Sequence, residues 1–238
     1  MNNTPVVVVL GAGIGGVGVV RAVAADSHLV VVDRTEAAAE AAAALAVELG
    51  GTSEGTVLDL TDLAAVEAWR DELLGRLGRV DAVVHLVGGW QGSEGVDETA
   101  IAQWNTLLPG IVTTVQTTSV AFGAALRAAP RGRYVMVTST SVPHPKKGNA
   151  AYASAKAAAE TWVKALGDSF EGSGAAACIV AVTALVDPAV RAAHPERAYT
   201  GFTDTTDLGE AIAGLFATAG IAPVTYLDLT MEAERDGD

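Results

Sequence analysis

The chain has 238 residues, 50% hydrophobic and 18% charged, with 26 glycines and a single cysteine; such a chain buries a sizeable core and is neither disordered nor disulfide-stapled. Fifteen Lys and Arg against 28 Asp and Glu give a formal charge of -13. That field repels nucleic-acid backbones and anionic membrane surfaces, and no basic patch in the sequence offsets it.

The first residues carry no positive segment ahead of their apolar run, unlike a signal peptide, and no apolar stretch reaches spanning length without polar or Gly punctuation. The expected compartment is the cytoplasm. Pro5 to Leu10 is an unbroken apolar run, as a parallel strand buried on both faces requires, and a glycine-rich turn and helix to about Asp26 follow it. Leu29 to Val32 repeats the strand pattern. Thr35 to Leu49 predicts an Ala-rich helix stopped by Gly50 and Gly51, Thr56 to Leu58 a third strand, and Asp62 to Leu77 a helix ending before Gly78. Asp81 to Val87 predicts a fourth strand. A helical region from Thr99 to Ala129, interrupted near Pro109, leads to a fifth strand, Arg133 to Ser139. A helix from Tyr152 to Phe170, a strand from Ala175 to Val182, a helix from Asp207 to Ala219 and a strand from Val224 to Leu229 complete the alternation. No linker or composition shift divides the chain, so residues 1–238 are expected to form one α/β domain with helices on both faces of a parallel sheet. The terminal ERDGD is expected to be a frayed acidic tail.

Gly11, Gly13 and Gly16 form G-x-G-x-x-G directly after the first strand, where missing side chains let the backbone approach a pyrophosphate and helix N–H groups stabilise its charge. The candidate cradle is Gly11, Gly13, Ile14, Gly15 and Gly16. Gly15 and Gly18 create an overlapping register, so the pattern alone leaves open which glycines meet phosphate. Asp33 ends the second strand 22 residues after Gly11, where a carboxylate accepts from adenosine ribose hydroxyls and repels a 2'-phosphate. That favours NAD; Arg34 next to it keeps NADP open. Asp59, with Leu60 beside it, is a candidate for the adenine edge, whereas Asp62 reads as a helix cap. Cys178 lies in an apolar run and reads as a core thiol, and the histidines lack metal-ligand spacing, so no metal is expected.

Tyr152 and Lys156 are four residues apart and share one helix face; Ser139 closes the strand before them, with Ser141 as the fallback. Either residue alone would read as packing or a solvated charge. Together they place an ammonium where it favours a phenolate and eases proton exchange.

On these residues the sequence resembles the short-chain dehydrogenase/reductase family over essentially its whole length. The glycine turn, Asp33, Asp59, the Gly88 turn, Ser139, Tyr152 and Lys156 occur in the family's order. The resemblance implies a single Rossmann-like doubly wound sheet of about seven parallel strands, a nicotinamide cofactor across the strand ends, and a homodimer or homotetramer built on the long helices. It makes Tyr152 the proton donor or acceptor, has Lys156 hold the nicotinamide ribose and tune Tyr152, and has Ser139 orient a small-molecule substrate. Val87, Gly88 and Gly89 fall on the cofactor side; Trp90, Ser141 and Thr183 fall on the substrate side.

The sequence departs from the family's pattern in several places. Leu10 replaces the usual threonine and Val17 the last glycine of the turn. The asparagine-rich step after strand four is His85, Leu86, Val87 and Gly88. Ile111 stands near the helix asparagine of the family's proton relay, and Thr183-Ala184 replace the usual P-G. These departures resemble the dihydropteridine reductase branch, through Gly88-Gly89-Trp90 and the strand ending at Thr183, Asp187 and Pro188. Three readings follow: an NAD(H)-dependent oxidoreductase acting on a small carbonyl, alcohol or conjugated substrate; reduction of a quinonoid dihydropterin, with Trp90 stacked on the ring or serving as a lid; and a non-catalytic cofactor sensor.

Overall fold

The computed structural model describes residues 4–230; the predicted acidic tail lies outside the described residues. Seven parallel strands form the central sheet: β1 Val6–Leu10, β2 His28–Asp33, β3 Thr52–Val57, β4 Ala82–His85, β5 Arg133–Ser139, β6 Ala176–Val182 and, numbered last in chain order, β9 Val224–Asp228. Their spatial order is β3-β2-β1-β4-β5-β6-β9. The chain winds outward one way from β1 and then the other way from β4, which opens a crevice beyond the carboxyl ends of these two strands. This is the Rossmann-like doubly wound sheet expected.

The helices form two layers because the central strands are apolar on both sides. Helices α3 (Leu63–Leu77), α4 (Glu98–Leu108), α5 (Thr114–Ala128) and α6 (Ala150–Asp168) cover one face with Leu73, Ile111, Phe122, Leu126 and Val163. Helices α1 (Ile14–Val23), α2 (Glu36–Glu48) and α8 (Thr205–Ala217) cover the other with Val19, Val20, Ala42, Ala46, Leu208 and Ile212. Helices α1 and α8 approach closely because Gly18 and Gly209 face each other: a methyl on Gly209 would lie 2.4 Å from the Gly18 carbonyl oxygen, and one on Gly18 2.3 Å from that of Thr205.

The structure differs from the sequence reading in three places. Strand β3 starts at Thr52, four residues earlier than its apolar end, because an edge strand needs no continuous apolar run. Pro109 does not break the α4–α5 helix. A π-helical turn, Pro109–Thr113, widens the backbone where the proline lacks its N–H, and the helix continues. The joined run Glu98–Ala128 is long and apolar enough to cross a membrane, but Leu107, Ile111, Val115, Phe122 and Leu126 spend that composition on the sheet. Finally, a small excursion after β6 pairs β7 (Ala184–Val186) with β8 (Phe202–Asp204) and carries α7 (Pro188–Ala193). These elements are too short for a hydrophobic period.

Arg133 opens β5 and is 1% exposed. Among the described residues its guanidinium meets no carboxylate; it donates to the carbonyls of Leu215, Gly132, Gly174 and Thr218 at 2.8 to 3.0 Å, tying the end of α8 to the turns before β5 and β6. Removing it strands four carbonyls and leaves a cavity. Arg133→Ala is expected to lower stability by about 3 kcal/mol, read as a lower urea midpoint; an unchanged midpoint contradicts the clamp.

Candidate active site

The crevice starts with the glycine turn, and the structure separates the roles of its glycines. Gly11 has φ +100° and donates its N–H to the Val32 carbonyl at 2.8 Å, a conformation that disfavours any side chain. A methyl on Gly16 would lie 2.0 Å from the Gly11 carbonyl oxygen, so Gly16 lets α1 pack on the turn. Around Gly13 a methyl would meet nothing within 4 Å. The register is therefore Gly11-Gly13-Gly16, whereas Gly18 belongs to the contact with α8. Gly13 is the N-cap of α1 without a side-chain cap, and no acidic residue occupies the first turn. An open backbone position at an uncapped helix start fits a pyrophosphate. A cavity of about 240 Å³ continues from Gly13, Ile14, Gly15 and Gly16 past Leu86 and Leu185 to Val137 and Lys156.

Asp33 ends β2 beside this turn. Its Oδ2 accepts from the Ala12 N–H at 3.0 Å, while Oδ1 accepts from the N–H and hydroxyl of Thr35, both at 3.0 Å. Burial pulls the carboxyl's pKa upward, but these donors and the Arg34 N–H outweigh it and the net shift is downward. A fixed carboxylate thus borders the glycine turn, with Arg34 exposed next to it. Asp59 lies on the surface, and its carboxylate accepts from Thr61. Leu60 is buried in the core, and its carbonyl accepts from Thr117. Asp62 caps α3 through the Ala65 N–H.

Three consecutive residues of β5 meet helix α6. The Val137 carbonyl accepts from Lys156 Nζ at 2.9 Å, Thr138 donates to Glu160 at 2.7 Å, and the Ser139 hydroxyl acts on Tyr152, whose pKa it lowers. The sequence places Tyr152, Lys156 and Glu160 one helical turn apart, so one helix face delivers all three to one strand end. Burial raises the Tyr152 pKa and Ser139 draws it partly back, so the free protein carries a neutral phenol. The expected influence of Lys156 on Tyr152 is not among the causes of that shift; the ammonium is turned to Val137. Burial brings Lys156 down to about 8, against an upward pull from Glu160. The Ser139 hydroxyl also lies 2.9 Å from that of Ser141, and Thr183 pairs with Thr140 at 2.9 Å, forming a row of hydroxyls at the ends of β5 and β6.

The opposite wall comes from β4. A methyl on Gly88 would lie 3.7 Å from both Lys156 Nζ and the Ile111 side chain. Ile111 sits in the π-helical turn, so an apolar group stands where the family resemblance puts an asparagine. His85 is buried, pairs with the Thr114 hydroxyl at 2.9 Å, and is held neutral, with its pKa pushed down to about 3 by burial first and the Lys156 charge second. Val87 is half-buried, Gly89 is exposed, and Trp90 is 70% exposed, its ring folded over Gly92. Ser93 donates to the Gly148 carbonyl at 2.9 Å, clipping this loop to the one before α6. Sequence reading missed Leu185, Thr138 and Glu160 as parts of the site. The signal for Glu160 was its place one turn beyond Lys156. A larger cavity of about 430 Å³ at the amino ends of the central strands carries none of these groups.

The family profile for short chain dehydrogenase matches residues 5–197. A protein named as a ketoacyl reductase of the monensin polyketide synthase from Streptomyces virginiae is 30% identical over 222 residues, covering 90% of this chain and 82% of its own. An NAD+-bound xylitol dehydrogenase superposes with a TM-score of 0.81 at 18% identity, over 95% of this chain and 98% of its own. A gluconate 5-dehydrogenase from Burkholderia cenocepacia J2315, in complex with NADP and tartrate, gives 0.80 at 22% identity over 96% and 95%. The chain belongs to the short-chain dehydrogenase/reductase family of oxidoreductases.

Proposed function

We propose that this chain is an NADH-dependent reductase of a small carbonyl compound, with Tyr152 as proton donor. The observation that carries this reading is the convergence of Ser139, Tyr152 and Lys156 at the end of a cleft that begins at an open, uncapped helix start. A bound nicotinamide supplies the hydride. Ser139 and Tyr152 hold the substrate oxygen by hydrogen bonds, and the Tyr152 phenol gives that oxygen its proton as the carbonyl carbon is reduced, so C=O becomes CH–OH. Lys156 binds the nicotinamide ribose and, once turned from Val137, stabilises the phenolate left behind. The ketoacyl reductase name of the Streptomyces virginiae relative supports the reductive direction. The net charge of -13 favours neutral or cationic substrates over anions.

The choice of NADH rests on Asp33. Its carboxylate is fixed beside the glycine turn, where it accepts from ribose hydroxyls and repels a 2'-phosphate. Xylitol dehydrogenase holds NAD+ and gluconate 5-dehydrogenase NADP, so the family fold accepts either. Asp33→Ala is expected to weaken NADH binding by about tenfold and NADPH binding by less; equal losses contradict the assignment.

Exposure of Trp90 favours a second reading, in which its ring stacks on a quinonoid dihydropterin. Initial rates with NADH and NADPH against that pterin and a panel of small carbonyls separate the two. Pterin turnover that collapses in Trp90→Ala supports the second; carbonyl turnover indifferent to Trp90 supports the first. Cofactor binding without turnover of any of them would leave a sensor. Ile101, Val120 and Trp162 on the outer faces of α4 to α6 are exposed at 65%, 52% and 39%, which supports a homodimer or homotetramer built on these helices.

A further inference from the structure

We propose that the cavity at the amino ends of β1 and β4 is a second ligand site, which takes a small uncharged molecule with an apolar body and one hydrogen-bonding group. This site is independent of the cleft and stands whether or not the cleft binds NADH. The sheet separates the two places. The glycine turn follows Leu10 at the carboxyl end of β1, whereas this cavity lies against Val7 near the start of that strand, Ala82 at the first position of β4, and Pro130 and Arg131 ahead of β5. The last turns of α1 and α8 close it with Val23 and Phe216. Its volume of about 430 Å³ falls within the roughly 300–1,000 Å³ of small-molecule sites. Val7, Val23 and Ala82 are buried and Phe216 is half-buried, so covering these walls with an apolar body is favourable.

Two further observations define the ligand. Ser27, just before β2, lines the cavity and is 6% exposed, yet its hydroxyl has no hydrogen-bond partner among the described residues. A buried hydroxyl left so is costly, and a ligand donor or acceptor relieves it. The charges round the cavity cancel. Arg79 pairs with Asp81, whose other carboxylate oxygen accepts from the Val6 N–H at 2.9 Å. That leaves Arg131, which donates to the Ala217 carbonyl at 3.2 Å, and Asp26, which has no ion-pair partner among the described residues. They are one of each sign, and both are exposed to solvent. An ion entering the cavity is attracted by one and repelled by the other, and it sheds its hydration against apolar walls without a buried counter-charge. A neutral molecule pays no such penalty, and its single polar group has Ser27 to meet.

Isothermal titration of the free protein with 1-naphthol tests the site, with 1-naphthoate and 1-naphthylmethylammonium as the anionic and cationic counterparts. 1-Naphthol is expected to bind about tenfold more tightly than either ion. Ser27→Ala is expected to weaken it by about fivefold. Ala217→Trp sets an indole at the mouth of the cavity from an exposed helix end, and is expected to abolish binding while its urea midpoint stays near that of the wild type. Ser27→Ala keeps the test available if Ala217→Trp fails to fold. Because the cleft lies beyond the other ends of the strands, saturating NADH is expected to leave 1-naphthol binding in place. No binding of 1-naphthol up to its solubility, binding indifferent to folded Ala217→Trp, or displacement by NADH overturns the site. Equal or tighter binding of either ion overturns the ligand class, and an affinity unchanged in Ser27→Ala overturns the part given to its hydroxyl.

Discussion

Tyr152→Phe is expected to lower carbonyl reduction by about 10²–10⁴-fold, the range for removing a positioned general acid, with NADH affinity unchanged. Phenylalanine keeps the ring and removes only the hydroxyl that would hold and protonate the substrate oxygen. The pH dependence follows from two groups of the wild-type protein. Burial holds the Tyr152 phenol protonated, with Ser139 only partly offsetting it, and burial brings Lys156 down to about 8. Below that pH the lysine is an ammonium and the phenol keeps its proton, so reduction is level through neutrality. Above it the ammonium is lost first and the rate declines. A reduction rate that rises with pH through this window contradicts Tyr152 as the acid, as does near wild-type turnover of Tyr152→Phe.

Gly16→Ala is expected to abolish cofactor binding at concentrations that saturate the wild type. The added methyl would lie 2.0 Å from the Gly11 carbonyl oxygen, an atom of the backbone that cannot rotate away. Helix α1 must then lift from the turn, at about 1–3 kcal/mol for overpacking, and its N-terminal amides move with it. Gly13→Ala is the informative contrast, because nothing lies within 4 Å of its methyl. That variant folds normally and loses affinity only through the ligand's own approach. Isothermal titration with NADH, alongside a urea midpoint for each variant, checks both statements. Equal urea midpoints and equal binding of the two variants contradict the division of roles among the glycines.

Strand and helix order was legible because β1, β2, β5 and β6 are apolar on both faces, and buried parallel strands advertise themselves by composition. Strand β3 was half legible: its residues Ser53, Glu54 and Gly55 serve an edge, where polarity is tolerated and Gly55 makes room for the backbone of α2. The β7–β8 excursion was illegible, since three-residue strands have no period to read, yet it brings Leu185 to the cleft. In the site, Tyr152 and Lys156 were legible from helical spacing, and the glycine register was not. The pattern also admits an overlapping register through Gly15 and Gly18, and the two are distinct only once the Gly11 carbonyl and the α8 contact are in place. Glu160 was hidden for another reason. In an Ala-rich helix a glutamate reads as a solvated surface charge, and only the tertiary contact with Thr138 reveals a buried one.

A crystal structure of the chain with NADH and an unreactive carbonyl analogue tests the central claim most directly. The account predicts the pyrophosphate over Gly13 at the start of α1, the adenosine ribose on Asp33, and the analogue oxygen within hydrogen-bond distance of both Tyr152 and Ser139, with Lys156 turned from Val137 to the nicotinamide ribose. A dinucleotide bound elsewhere, or an analogue whose oxygen lies away from Tyr152 in every copy, would contradict it.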